Sequence, residues 1–278
     1  MLAIRGYDQG IWPPQRCSPG TLSANCSTGN SSVEPYTVMH LALLAHASAA
    51  KLYRQKYQET QRGLIGLNLY TFSYAPMTNS IADAEATKRA IDFYTGWEMD
   101  PLVFPEAMKK TVGSRMPSFT ANESKLVKGS ADFIDINHYI TFFVSDAPPK
   151  PTGVVAFNSD MGVQFSVFKN GAPLKFPLPP FIPYNPSGLQ SCPEYFKDYY
   201  GNPPIYVQEN GYGSPYDENL NDSARIDYLT GYIGSTLNAV RWCSSTLLKR
   251  YYILCIRYRI SPSAIYVMCC NIAGTDRT

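Results

Sequence analysis

Histidine is scarce, with three in 278 residues. No Cys-x-x-Cys pair occurs, so a zinc ligand set of the usual spacing is missing and no cofactor is expected. Charge is low: 17% of residues are ionisable Asp, Glu, Lys or Arg, and the net charge is +2 with no long basic run. That removes the electrostatic footprint that binding to nucleic acid or to an anionic membrane surface requires. No apolar run reaches the roughly 18 residues of a membrane-spanning helix. The most apolar tail, "YYILCIRYRISPSAIYVMCC", is interrupted by Arg257, Arg259 and Pro262. The opening "MLAIRGYDQGIWPP" also lacks the apolar core of a secretory leader.

What is present is an aromatic, moderately hydrophobic chain: 45% hydrophobic and 13% aromatic, with 21 Tyr. That composition belongs to a globular protein and not a disordered one. Aromatic enrichment serves a packed core or a surface that stacks flat ligands such as sugars. Of the seven Cys, four (Cys243, Cys255, Cys269, Cys270) lie beyond Arg241. Cys17 and Cys26 share a loop rich in Pro, Gly, Ser and Asn. Four glycosylation sequons begin at Asn25, Asn30, Asn122 and Asn221. Sequons and paired cysteines point to a secreted or vacuolar lineage, while the missing leader leaves the location of the chain as written open.

Strand-like and helical segments alternate. "GLIGLNLYTF" (63–72), "FIDINHY" (133–139) and Pro204–Gln208 are predicted strands. Residues 35–57, 81–95, 104–112 and 189–200 are predicted helices. From Ser223 onward, Ile226, Leu229, Ile233, Leu237 and Val240 recur at steps of three and four, the stripe of a further helix. Ser31 and Glu34 stand at capping-box spacing before the first helix. Residues 1–34 read as loop, and 147–188 as a long Pro/Gly-rich excursion. The alternation predicts α/β architecture with a parallel sheet. Three strands are too few to close a barrel.

Glu209 ends the third strand, in "PPIYVQENGYG". A carboxylate before an Asn-Gly turn is ordinarily a solvated surface group. Its neighbourhood says more. That segment, together with "RGYDQGIWPPQRCS", "NCSTGNSSVEPY", Gly96-Trp97, "DPLVFPEAM", "VGSRMPSFT", "DFIDINHY" and "RIDYLTGYIGSTLNAVR", resembles glycoside hydrolase family 1, the plant β-glucosidase branch. The motifs run in family order over roughly residues 3–241.

The resemblance implies part of a (β/α)8 barrel, about its fifth to seventh strands. Residues 1–241 would be an incomplete glycosidase barrel, and 242–278 a non-homologous, irregular tail. It implies retaining hydrolysis of β-glucosides, small-molecule substrates, in which one carboxylate attacks the anomeric carbon and a second protonates the leaving group. Glu209 matches the nucleophile. Tyr139 matches the tyrosine that donates to it, Asn137 its polar companion, and Phe181 stands near an aglycone-stacking aromatic. Phe72 falls where relatives carry a polar residue on the aglycone side. Cys17–Cys26 matches a disulfide of the plant enzymes. His138 faces away from Asn137 and Tyr139 on a regular strand and is expected to be structural.

The acid/base glutamate of the family lies in a motif that would precede Met1, so the resemblance implies a chain cut short at both ends. Within the match, Asp135 replaces a glycine and Glu98 an apolar residue, and a Gly-Asp-Tyr-like step before Pro105 is missing. Two functions stay open: a glycosidase, or a catalytically inactive pseudoenzyme or sugar-binding remnant. Oligomeric state is not read from the sequence.

Overall fold

A computed structural model of the chain describes residues 2–20, 26–101, 105–148, 153, 155–169, 183–212, 223–244, 251–253, 257–261 and 264–267. The helices are α1 (Leu2–Tyr7), α2 (Glu34–Lys56), α3 (Gln58–Gln61), α4 (Ile81–Ile91), α5 (Trp97–Met99), α6 (Glu106–Val112), α7 (Ala121–Val127), α8 (Phe157–Met161), α9 (Ser187–Tyr200) and α10 (Ser223–Ser244). The strands are β1 (Gly66–Pro76), β2 (Phe133–Asp146), β3 (Val163–Ser166), β4 (Ile205–Glu209), β5 (Tyr251–Ile253), β6 (Arg257–Ser261) and β7 (Ala264–Val267).

The main sheet has the order β1-β2-β4-β5, with β3 also paired to β2. The pairs β2–β4 and β4–β5 are parallel. The helical crossover from β2 to β4 is the one a parallel pair needs. β6 and β7 form a separate antiparallel hairpin. The tail expected to be irregular therefore carries three short strands, and β5 extends the main sheet.

The chain divides into two compact units, neither of which ends at residue 241. One comprises 1–65, 76–131 and 144–165; the other comprises 66–75, 132–143 and 166–278.

The first unit is organised around buried aromatic rings. Tyr36 packs at 5.3 Å from Trp97 and 5.9 Å from Phe157, and Phe157 lies 5.6 Å from Phe93 (centroid distances). Asp160 is buried, and its charge is answered twice. Tyr36 Oη donates to its Oδ2 at 2.7 Å, and Arg115 closes a two-point bridge at 2.8 and 2.7 Å. Three of the family-like motifs, those containing Tyr36, Trp97 and Arg115, thus converge on one structural core.

Several local expectations change here. Residues 2–7 are helical and not loop. The proposed cap at Ser31 does not form, because its hydroxyl is buried and donates to the Asp8 carbonyl at 3.0 Å. Glu34 instead pairs with Arg16, whose guanidinium holds the Glu34 carboxyl below its ordinary range. A true capping box stands at Thr120–Glu123. α4 stops at Ile91 and passes into a π-helical turn, Asp92–Gly96, that leads to Trp97. The excursion 147–188 includes α8 and β3.

In the second unit, β1, β2 and β4 bury Leu69, Ile134, Ile136, Ile205 and Val207. The buried stripe of α10 is not the aliphatic one read from spacing. Tyr228, Tyr232, Thr236 and Ala239 are inside, whereas Ile226 is 62% exposed and Leu237 is 37% exposed. Tyrosine supplies a larger apolar area than Leu or Ile and a hydroxyl that finds partners. Tyr228 and Tyr232 stack at 4.2 Å, and Tyr212 lies 5.6 Å from Tyr228. Among the described residues Tyr36, Tyr212, Tyr228 and Tyr232 are fully buried, so part of the tyrosine content is core.

Candidate active site

Glu209 ends β4 and is half-buried. Register explains which way it faces. Ile134 pairs with Ile205 and Ile136 with Val207, all buried; Asp135 pairs with Tyr206 on the other face, and both are half-buried. Strict alternation would send the residue two beyond Val207 to the isoleucine face. The ladder slips there by one residue: Asn137 pairs with Glu209, and Gln208 is left over as a bulge. A bulge re-aims the side chains that follow it. Glu209 consequently shares a face with Asn137 and Tyr139.

Tyr139 Oη donates to Glu209 Oε2 at 2.9 Å. This is the contact expected of the pair. Tyr139 is itself steadied by Tyr70, stacked at 5.9 Å. Asn137 is buried and accepts through Oδ1 from Asn68 Nδ2 at 3.1 Å. Asn68 Nδ2 also donates to Gln208 Oε1. Asn210 does not simply turn the chain. Its Nδ2 donates to the His138 carbonyl at 2.9 Å and to Tyr228 Oη at 3.2 Å, which fixes the segment following the carboxylate. Gln208 and Asn210 stand within the motif around Glu209 but were given no role by it, and Asn68 carries no motif signal at all. Asn68 sits in an ordinary strand, and only the pairing of three strands brings it to Asn137 and Gln208.

His138 is fully buried on the opposite side, as the alternation predicts. Its Nε2 lies 2.9 Å from Ser73 Oγ, and Ser73 Oγ donates to the Gly188 carbonyl at 2.5 Å. The single hydroxyl proton of Ser73 is committed to that carbonyl, so the ring must donate from Nε2. Burial pushes the imidazole down to about 4. A neutral His donating to a serine cannot activate it as a base would, so this is a packing pair and not a nucleophilic dyad. The buried Cys192 thiol is pushed up to about 12 by desolvation and is equally inert.

Cys17 and Cys26 are joined in a disulfide, with Cα atoms 5.5 Å apart. Asn30 and Asn122 are exposed. Phe181, Asn25 and Asn221 lie outside the described residues. Phe72 is buried, ringed by Tyr70 at 5.2 Å and Phe142 at 4.9 Å. Asp135 is half-buried, and burial pushes its carboxyl up to about 6. Glu98 is pushed up to about 7 by the same cause.

A partial mixed sheet with helices, its β2–β4 and β4–β5 pairs parallel and a tyrosine-held carboxylate at the C-terminal end of β4, fits a portion of an α/β barrel. The chain belongs to glycosyl hydrolase family 1, whose profile it matches over residues 1–263. It is 54% identical over 253 residues to a cyanidin 3-O-glucoside 7-O-glucosyltransferase (acyl-glucose) of Delphinium grandiflorum, covering 88% of this chain and 48% of that protein. It is 48% identical over 259 residues to beta-glucosidase 22 of Oryza sativa subsp. japonica, covering 91% of this chain and 48% of that protein. Among solved structures, a mutant of the rice Os3BGlu6 beta-glucosidase in a covalent complex with Glc superimposes with a TM-score of 0.84 at 34% identity. That match covers 95% of this chain and 58% of the other. The chain spans about half the length of the curated relatives it matches. Such neighbours imply a (β/α)8 barrel, of which this chain supplies about half.

Proposed function

We propose that Glu209 is the nucleophile of a retaining β-glucosidase-type site, with Tyr139 as the donor that aims it, and Asn137 as its polar companion. The observation that carries this is the 2.9 Å bond from Tyr139 to Glu209 at the end of a parallel strand. In the first step a Glu209 oxygen bonds to the anomeric carbon of a small-molecule β-glucoside. The bond from that carbon to the leaving oxygen breaks, and its electron pair leaves with that oxygen. The covalent Glc complex of the rice relative supports this reading. The second carboxylate of such a site is assigned to no residue of this sequence. Loss of acid/base assistance alone costs about 10²–10⁴-fold, so the unassisted chain is expected to be slow on ordinary glucosides. An inactive, sugar-binding remnant is the contrary reading.

The test is labelling with a 2-deoxy-2-fluoro-glucoside carrying a dinitrophenyl leaving group, which needs no protonation. Mass mapping should place the adduct on Glu209 and find none in Glu209→Gln. An unlabelled wild-type chain would reject the nucleophile assignment.

The acyl-glucose transferase among the relatives favours a second reading, in which a glucose ester is the donor and a phenolic hydroxyl, not water, the acceptor. A carboxylate leaving group also departs without protonation. Chromatography of products from a glucose ester, with and without a polyphenol acceptor, separates transfer from hydrolysis. We further propose glycans at the exposed Asn30 and Asn122 and a secreted or vacuolar setting, which the Cys17–Cys26 disulfide supports.

A further inference from the structure

We infer that Asn68 is a positioning residue for Glu209, acting through the bulged Gln208; this rests on the nucleophile assignment above. Three observations meet at one place. The β2–β4 ladder slips at Gln208, so the carboxylate turns to the Tyr139 face and does not follow Val207 to the buried one. Gln208, the residue left over, has no ladder partner on β2 to hold it. Asn68 supplies what the ladder does not: both protons of its Nδ2 are used, one on Asn137 Oδ1 at 3.1 Å and one on Gln208 Oε1. The amide therefore ties β1 to β2 and β4 across the bulge.

The chemistry fits a clamp and not a ligand-binding group. A single primary amide has two N–H donors, and here both are spent on the neighbours of Glu209: Asn137, its register partner, and Gln208, the residue before it. Take the clamp away, and the ladder can regain regular pairing by returning Gln208 opposite Asn137. That one-residue slip would carry Glu209 to the other face and break its bond to Tyr139. Asn68 touches no reacting atom in this scheme. Its effect reaches the reaction only through the aim of the carboxylate.

Asn68→Leu keeps the approximate volume and removes both donors at an exposed position, so it is compatible with folding. Gln208→Met removes the acceptor from the other side. Two measurements are made on wild type, each single variant, the double variant and Glu209→Gln. One is the rate of covalent labelling by the fluorinated dinitrophenyl glucoside. The other is the ring-carbon resonance of Tyr139 in 13C-tyrosine-labelled protein, identified by its loss in Tyr139→Phe. Misplacing a reacting group by about 1 Å can cost as much as 10²-fold, so each single variant should slow labelling by about tenfold or more, with reagent affinity little changed. The double variant should be no slower than either single one, and the Tyr139 resonance should move toward its Glu209→Gln position. Wild-type labelling rate and an unmoved resonance in Asn68→Leu would overturn the inference, as would additive losses in the double variant. Should wild type itself resist labelling, the nucleophile assignment falls. The Tyr139 resonance then decides on Asn68 alone: movement upholds the clamp and stillness rejects it.

Discussion

Under the proposed reading, the Tyr139 phenol aims Glu209 for attack through its 2.9 Å hydrogen bond. Hydrogen bonds to charged groups are worth about 1.5–3 kcal/mol. Tyr139→Phe should therefore slow labelling of Glu209 by about 10- to 100-fold. A second carboxylate, Asp8, works against stability. It is 3% exposed, and desolvation pushes it up to about 6 even though the Phe157 N–H donates to it at 3.1 Å. The folded state thus binds its proton more tightly than the unfolded chain does. The fold is favoured below the unfolded value of 3.8, and that advantage is lost as pH rises through about 6. A two-unit shift corresponds to about 3 kcal/mol at most. Asp8→Asn retains an acceptor for the Phe157 N–H. It should raise the thermal midpoint at pH 7.5, with the gain vanishing below about pH 4.

At the scale of elements, α9 docks on the strands by contacts that leave no room for a methyl group. A Cβ at Gly188 would collide with Thr141 Oγ1 and press on Ser73. The Ser73 hydroxyl is bonded to the Gly188 carbonyl, so the helix cannot lift without losing that bond. Gly188→Ala should destabilise the chain by about 1–3 kcal/mol, read as a lower midpoint in urea. The elements themselves were largely legible. Strand and helix alternated as the periodicities required, and β1, β2 and β4 each overlap a predicted strand. Their limits were not: β2 runs on to Asp146 through the apolar Ile140, Phe142, Phe143 and Val144, beyond the predicted end at Tyr139. The face of α10 was misjudged too. Spacing marks Ile226 and Leu237 as apolar, but it cannot weigh them against tyrosines whose hydroxyls find partners only after folding.

Across the whole molecule, the chain passes five times between its two compact units, at 65/66, 75/76, 131/132, 143/144 and 165/166. No single cut separates them. A fragment of residues 1–165 would keep the first unit complete but only two strand segments of the second. It would lose Gly188, Asn210 and Tyr232, which meet Ser73, His138 and the same strands. Ile136 and His138, both fully buried in the whole chain, would lose their cover. That fragment should bind a hydrophobic dye such as ANS and lose near-ultraviolet dichroism, whereas the whole chain should do neither.

The family, the order of its motifs and the identity of the strand-end carboxylate are properties of the sequence, because a strand followed at once by Glu209 and an Asn-Gly turn is written in consecutive residues. The Cys17–Cys26 pairing belongs with them, implied by resemblance and local in the chain. What only the tertiary structure decides is direction and company. Period-two alternation says nothing of a slipped register, so the bulge at Gln208 that turns Glu209 toward Tyr139 is settled by the pairing of β2 with β4. Asn68 stands about 140 residues before that bulge and becomes its partner only because β1 lies beside β2, a contact that no local pattern encodes.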